Sequence, residues 1–150
     1  MPVRPLLVLL CALLLATRAD AQSPGAPAVS AVRPAVARMV AAGRLEAGAL
    51  EDGDARLDDD SRYDDFVYMA HAGEQIQVRL SSDAFDPYLY VGRRGAGTAL
   101  LDAVSDDDSG GGTTAQVTYT ARAAGPVIIR ANSLMAGQTG RYTLRVKSGQ

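Results

Sequence analysis

The chain has 150 residues, and hydrophobic residues make up 47% of them, a content that suits one globular domain and is too high for a disordered chain. The formal net charge of −2 argues against a nucleic-acid binder that relies on overall positive charge. One Cys and one His exclude a disulfide framework and a Cys/His zinc site.

The N-terminal segment has the pattern of a secretory signal peptide. Arg4 precedes an unbroken apolar run from Leu6 to Ala16, which is shorter than the roughly 20 residues that a membrane-spanning helix needs. Ala19 and Ala21 then supply small residues at the −3 and −1 positions of a cleavage site. We predict that residues 1–21 are removed with the only cysteine. The mature chain is then secreted or periplasmic, without stable membrane insertion.

Residues 22–43 form a predicted linker. They are rich in Ala, Pro, Ser and Gly, and Pro24, Pro27 and Pro34 discourage regular structure. Residues 35–42 have the spacing of one or two helical turns. One compact domain is predicted to follow over residues 44–148.

The domain shows the period of two that is typical of β-strands. In Gln75–Ser81, for example, apolar side chains alternate with polar ones. With an edge strand near Leu45–Leu50 we count about eight strands, which predicts an all-β sandwich or barrel. The other predicted strands lie near residues 66–69, 88–91, 115–121, 127–131 and 142–146, with a further one as the second arm of a hairpin that spans Tyr88–Leu100.

Two short turns are predicted to close β-hairpins. Ala72-Gly73-Glu74 follows the strand that begins at Phe66 and precedes the next one. A second turn lies within Arg93–Gly97 and is predicted to centre on Gly95.

Acidic residues are unevenly distributed. All but one lie between Glu46 and Asp108, and residues 109–150 contain none. A hairpin centred on Gly95 would bring the acids of 83–86 close to those of 106–108. Such clustered oxygen ligands are what Ca²⁺ requires, so a calcium site is one interpretation. The other is that each aspartate caps a turn or faces water. The predicted register places Asp83 opposite Asp107 and Asp86 opposite Val104. The candidate ligands are Asp83, Asp86, Asp106, Asp107 and Asp108.

A catalytic site has weak support in the sequence. His71 lies in a turn, and no G-x-S-x-G motif accompanies it. We therefore expect a solvent-exposed histidine. The spacing of the carboxylates in the sequence does not exclude a pair that hydrolyses glycosides, so this stays an alternative.

Six short motifs, in order, resemble the bacterial pre-peptidase C-terminal domain family over about residues 44–147. They are DDFVY at 64–68, AGE at 72–74, IQV at 76–78, SSDAFDPYL at 81–89, DDDSGGG at 106–112 and GQTGRYTL at 137–144.

The resemblance implies a jelly-roll-like antiparallel β-sandwich without catalytic activity, of a kind found beside exported proteases. Related collagen-binding modules bind calcium, and Asp65 matches the position of one of their ligands. Val127 stands where family members often carry an aromatic residue, so the resemblance does not extend to collagen binding.

The sequence therefore predicts a secreted, non-catalytic module that binds or assists an exported protein or an extracellular polymer, with Ca²⁺ as the one candidate cofactor and no nucleic-acid partner. The alternatives are a small secreted hydrolase that uses the aspartate cluster and a structural protein of the cell envelope.

Overall fold

A computed structural model describes residues 36–149, and every regular element in this range is a β-strand. The predicted all-β class is confirmed. The predicted signal peptide and most of the predicted linker lie outside the described residues. The described range contains no helix long and apolar enough to cross a membrane. The strands are β1 (Arg38–Met39), β2 (Leu45–Leu50), β3 (Ala55–Arg56), β4 (Arg62–Ala70), β5 (Gln75–Ser81), β6 (Pro87–Arg94), β7 (Leu100–Asp106), β8 (Thr114–Thr120), β9 (Gly125–Ser133) and β10 (Gly140–Gly149).

The strands form two sheets. The first sheet has the order β1-β4-β9-β6-β7, with β3 also paired to β4, and the second has the order β2-β10-β5-β8. All pairings are antiparallel except that of β1 with β4. The arrangement confirms the predicted antiparallel β-sandwich.

The core lies between the inward faces of the two sheets. Ile76, Val78 and Leu80 of β5 are all 0% exposed, as period-two alternation requires. From the first sheet, Phe66 and Ile129 pack into the same cluster. Each such side chain contributes about 1.5–3 kcal/mol when it is fully removed from water. Burial of one face therefore fixes which residues of each strand face solvent.

The turn at residues 72–74 does not close a hairpin, so that prediction is wrong. β4 belongs to the first sheet and β5 to the second, and the turn carries the chain from one sheet to the other. One edge of β4 pairs with β9, and β1 and β3 pair with parts of the other edge. β5 pairs instead with β8 and β10 of the second sheet.

β6 and β7 do form the predicted hairpin, but in a different register. The turn spans residues 95–99, with Gly97 at a φ of 59°, and the register shifts between Val91 and Arg93. A Cβ at Gly92 would lie 2.8 Å from the carbonyl oxygen of Leu101, so this close approach requires glycine.

The register overturns the predicted carboxylate pairing. Asp106 lies opposite Leu89, and Val104 lies opposite Val91 rather than Asp86. Asp83 precedes β6 and is not opposite Asp107.

β7 is an exposed edge strand of the first sheet. Asp102 adopts a φ of 51°, which is uncommon for a residue other than glycine. Its carboxylate accepts hydrogen bonds from Arg93 Nε and Nη2 at 3.1 and 2.7 Å. The edge of the sheet is therefore irregular and charged.

The predicted helical turn over residues 35–42 is wrong for the part of it that the structure describes. Arg38 and Met39 pair in parallel with Phe66 and Val67. Val40 is 8% exposed, and its amide donates to the carbonyl oxygen of Val67. The free edge of β4 provides these residues with backbone partners that an isolated turn would lack.

A polar contact joins the two sheets at one end of the core. The buried Tyr142 hydroxyl donates to an Asp64 carboxylate oxygen on β4. Arg38 Nη2 donates to the same hydroxyl at 3.0 Å. Gly48 is the cross-strand partner of Tyr142, and a Cβ there would lie 2.3 Å from the tyrosine ring. Glycine at 48 thus makes room for the ring that joins the sheets.

Replacing Gly48 with alanine is expected to displace the Tyr142 ring and to lower the free energy of unfolding by about 1–3 kcal/mol, as overpacking does. Urea denaturation measures the change. Ala47→Ser, at the neighbouring exposed position, is the control and should be neutral. Equal stability of G48A and wild type would show that the ring moves without cost.

Candidate functional site

Three consecutive aspartates form an acidic cluster where β7 ends. Carboxylate oxygens of Asp106, Asp107 and Asp108 lie within 4.8 Å of one another. Of the predicted calcium ligands, these three are brought together. Six to eight oxygens surround Ca²⁺ at 2.3–2.6 Å, so three monodentate carboxylates would supply part of such a shell.

Asp106 also holds the loop that follows it. Its Oδ2 accepts hydrogen bonds from the Ser109 amide at 3.0 Å, the Ser109 hydroxyl at 2.8 Å and the Gln116 amide at 2.8 Å. Desolvation acts to raise the pKa of Asp106, but the hydrogen bonds from Gln116 and Ser109 outweigh it and lower the pKa. The carboxylate therefore fastens the glycine-rich loop to β8, which is the turn-capping role.

Asp83 and Asp86 do not join the acidic cluster. Both lie in the loop between β5 and β6, where Asp83 is exposed. This loop does touch the glycine-rich loop, because the Thr113 hydroxyl donates to the Ser82 carbonyl oxygen at 2.8 Å. The two loops therefore meet through hydroxyl and backbone groups.

Asp65 is the centre of a buried ion-pair network. Its side chain is 0% exposed. Oδ1 accepts from Arg130 Nε at 2.8 Å, and Oδ2 accepts from Arg130 Nη2 at 3.1 Å and from Arg94 Nη2 at 3.0 Å. Both oxygens are thus held by guanidinium groups. In this structure Asp65 is the ion-pair partner of two arginines, and its role as a calcium ligand stays a prediction.

Sequence reasoning missed the partners of Asp65. Arg130 is 3% exposed and lies directly opposite Asp65 across β4 and β9. Its guanidinium carbon lies 4.0 Å from the centre of the Tyr63 ring, and its Nη1 donates to the Thr98 carbonyl oxygen at 2.7 Å. One signal was available, namely a charged residue inside the apolar run 127–131. A buried charge requires a partner.

His71 lies in the turn between β4 and β5 and is exposed. Within residues 36–149 its imidazole forms no hydrogen bond with a serine, threonine or aspartate side chain, so the described range holds no Ser–His–Asp arrangement.

Glu74 fastens the turn that contains His71. Its carboxylate accepts from the Ser148 hydroxyl at 2.6 Å, the Tyr68 hydroxyl at 2.6 Å and the His71 amide at 2.8 Å. The hydrogen bonds from Ser148, Tyr68 and His71 lower the pKa of Glu74 to about 2. This side chain links β4, β5 and β10.

The fold has counterparts among solved structures. The pre-peptidase C-terminal domain of collagenase from Bacillus anthracis aligns with a TM-score of 0.55 and 15% identity, covering 77% of this chain and 98% of that domain. The Aeromonas hydrophila PliG, a periplasmic lysozyme inhibitor of g-type lysozyme, aligns with a TM-score of 0.55 and 18% identity, covering 78% of this chain and 100% of the inhibitor. The Salmonella Typhimurium PliG aligns with a TM-score of 0.47 and 15% identity, covering 76% and 100% of the two chains.

These likenesses establish the fold. The sandwich that the sequence resemblance implies is confirmed by its alignment with a pre-peptidase C-terminal domain. No protein-family profile and no curated protein matches the chain.

The predicted calcium site is tested by thermal unfolding with Ca²⁺ and with a chelator. If the acidic cluster binds Ca²⁺, the melting temperature rises by several degrees in Ca²⁺, because an ion that binds only the folded state stabilises it. Asp107→Asn with Asp108→Asn removes the rise and spares the hydrogen bonds of Asp106.

The matched control for the calcium test is Asp83→Asn with Asp86→Asn, which removes the same charge outside the acidic cluster. This variant should keep the rise. A melting temperature that is the same in Ca²⁺ and chelator would leave the three aspartates with their capping role alone.

Glu74 predicts a specific acid sensitivity. Its pKa is about 2 in the folded protein against 4.5 ordinarily, so its stabilising effect is full above pH 4.5 and disappears as the pH falls towards 2. Glu74→Gln should therefore lose less stability than wild type over this window. The difference should stay below about 1 kcal/mol because solvent screens the group. Urea denaturation at pH 6, 4 and 3 measures it, and parallel curves for both proteins would contradict the assignment.

Proposed function

We propose that the chain is an exported, non-catalytic module that binds another macromolecule, either an exported protein or an extracellular polymer. The observation that carries the proposal is the structural use of the chemistry-bearing side chains. Asp65 is held by Arg130 and Arg94, Asp106 holds its own loop, and Glu74 fastens a turn. Reactive carboxylates would need freedom to exchange protons with a substrate.

The fold likenesses support a role outside the cytoplasm. One neighbour is a domain of a collagenase and the other is a periplasmic lysozyme inhibitor. A sandwich of this kind supplies a rigid scaffold whose outward side chains and loops are open to a partner. The signal-peptide pattern of residues 1–21 agrees with that location.

Binding without turnover is the expected behaviour of the mature chain, residues 22–150. The immobilised chain should retain a macromolecule from envelope extract or culture medium. The purified chain should not hydrolyse glycoside, peptide or ester substrates. Size-exclusion chromatography of the eluted complex measures its stoichiometry.

The hydrolase alternative makes the opposite prediction. A turnover activity that is lost when Asp106, Asp107 and Asp108 are all replaced with Asn would overturn the module assignment. N-terminal sequencing of the exported protein supplies a separate check, because export predicts a mature chain that begins at Gln22.

A further inference from the structure

The outward strand positions of the second sheet carry cations and no acids. Period-two alternation places Arg141, Arg145 and Lys147 of β10 and Arg79 of β5 on this side, and all four are exposed. We call these four residues the basic face. The side chains around them are small or polar and include Ala47 of β2, Thr143 of β10, Gln77 and Ser81 of β5, and Gln116 and Thr118 of β8.

Two cations of the basic face lie directly opposite each other. Arg145 is the cross-strand partner of Arg79 in the centre of the sheet. Like charges in this position are destabilising. Arg79 Nη2 reaches the Gly110 carbonyl oxygen at 3.1 Å, which leaves the positive charge of the guanidinium uncompensated. The folded state therefore retains a pair of like charges that lowers its stability.

The basic face differs from most other arginines of the described range, which form ion pairs with aspartates. Arg62 pairs with Asp52, Arg93 with Asp102 and Arg130 with Asp65. By contrast, none of the four residues of the basic face forms an ion pair within residues 36–149. Their charge is available to a partner.

The basic face is a shallow and extended surface. Arg145 and Arg79 line an open depression of about 280 Å³ together with Leu45, Ser81 and Thr143. Ser81 and Thr143 also line a second open depression of about 530 Å³ that reaches Arg141 and one acidic residue, Asp83. Along β10, the six-residue step from Arg141 to Lys147 covers roughly 20 Å at about 3.4 Å per residue. A linear ligand can thus contact several cations in sequence.

The composition of the surface favours one class of ligand. The only large apolar side chain that points outward from this sheet is Leu45, at its edge, and the outward positions of its four strands carry no aromatic ring. Stable protein interfaces depend on buried aromatic and apolar anchors. Guanidinium groups bind carboxylate and sulfate oxygens in pairs, and hydroxyl and amide side chains suit sugar hydroxyls.

We infer that the basic face binds an anionic polysaccharide that bears carboxylate or sulfate groups. The inference rests on the proposed binding function and specifies its ligand. Affinity comes from charge rather than from stacking on sugar rings, so it must weaken as salt screens the cations.

The test uses the mature chain and four defined polymers on a biosensor surface: alginate for carboxylate, dextran sulfate for sulfate, neutral dextran, and single-stranded DNA for phosphate. We expect binding to alginate or dextran sulfate and none to neutral dextran. Raising salt from about 50 to about 500 mM should weaken the binding steeply.

Substitution of the opposed pair locates the site. Arg79→Gln with Arg145→Gln should weaken binding at least about tenfold, which corresponds to about 1.4 kcal/mol. Arg79→Lys with Arg145→Lys keeps the charge but not the paired guanidinium hydrogen bonds, so it should lose less affinity than the glutamine variant. The matched control is Arg93→Gln with Arg122→Gln, which removes the same charge near Asp102 in the first sheet and should bind like wild type.

Thermal unfolding of the same variants keeps the test independent of folding defects. Relief of the cross-strand repulsion predicts that the glutamine variant melts at the same temperature as wild type or higher. Weaker binding by a stably folded variant therefore reports lost contacts.

Several results would overturn the inference. They are equal loss of binding in the control variant, binding that salt does not weaken, tighter binding to DNA than to both anionic polysaccharides, or no binding to either polysaccharide. If the chain still captures a partner from extract, only the ligand assignment fails. If it shows turnover, the proposed function itself fails.

Discussion

The pairing of β10 between β2 and β5 is the constraint on which the rest of the structure depends. Tyr142, Leu144 and Val146 must face the core, and burial of these side chains fixes the register of the strand. A slip of one residue would exchange the two faces. The same register that builds the core therefore sends Arg145 and Lys147 outward. Core packing and the surface charge of this sheet come from one alternating sequence.

The strands were predictable because their alternation is local, whereas their partners were not. Gln75–Ser81 is a strand as its pattern indicates, but whether it pairs with β4 or with β10 depends on edges that distant segments occupy. The turn at 72–74 has the composition of a hairpin turn, and the chain uses it to change sheets. The predicted register of the β6–β7 hairpin was wrong for a related reason. The close approach of the strands at Gly92 and the turn at Gly97 are set by backbone packing.

The candidate calcium ligands also show that local sequence patterns do not identify distant partners. Asp106, Asp107 and Asp108 meet because they are neighbours in sequence. Asp65 has guanidinium partners on β6 and β9, and the one local signal, Arg130 within the apolar run 127–131, does not identify its partner. Most of the basic face could be predicted from the sequence, since every second residue from 141 to 147 is Arg, Thr, Arg and Lys. Its significance needed the neighbouring strand, which places Arg79 against Arg145.

The irregular edge at β7 has a consequence for how the molecule behaves in concentrated solution. A straight, unpaired strand offers a template on which another chain can add, and that is how fibrillar aggregates grow. The left-handed backbone at Asp102 and the register shift near Gly92 bend this border away from the straight geometry that such growth requires. An irregular and charged border at β7 therefore disfavours the addition of a neighbouring molecule's strand to this sheet.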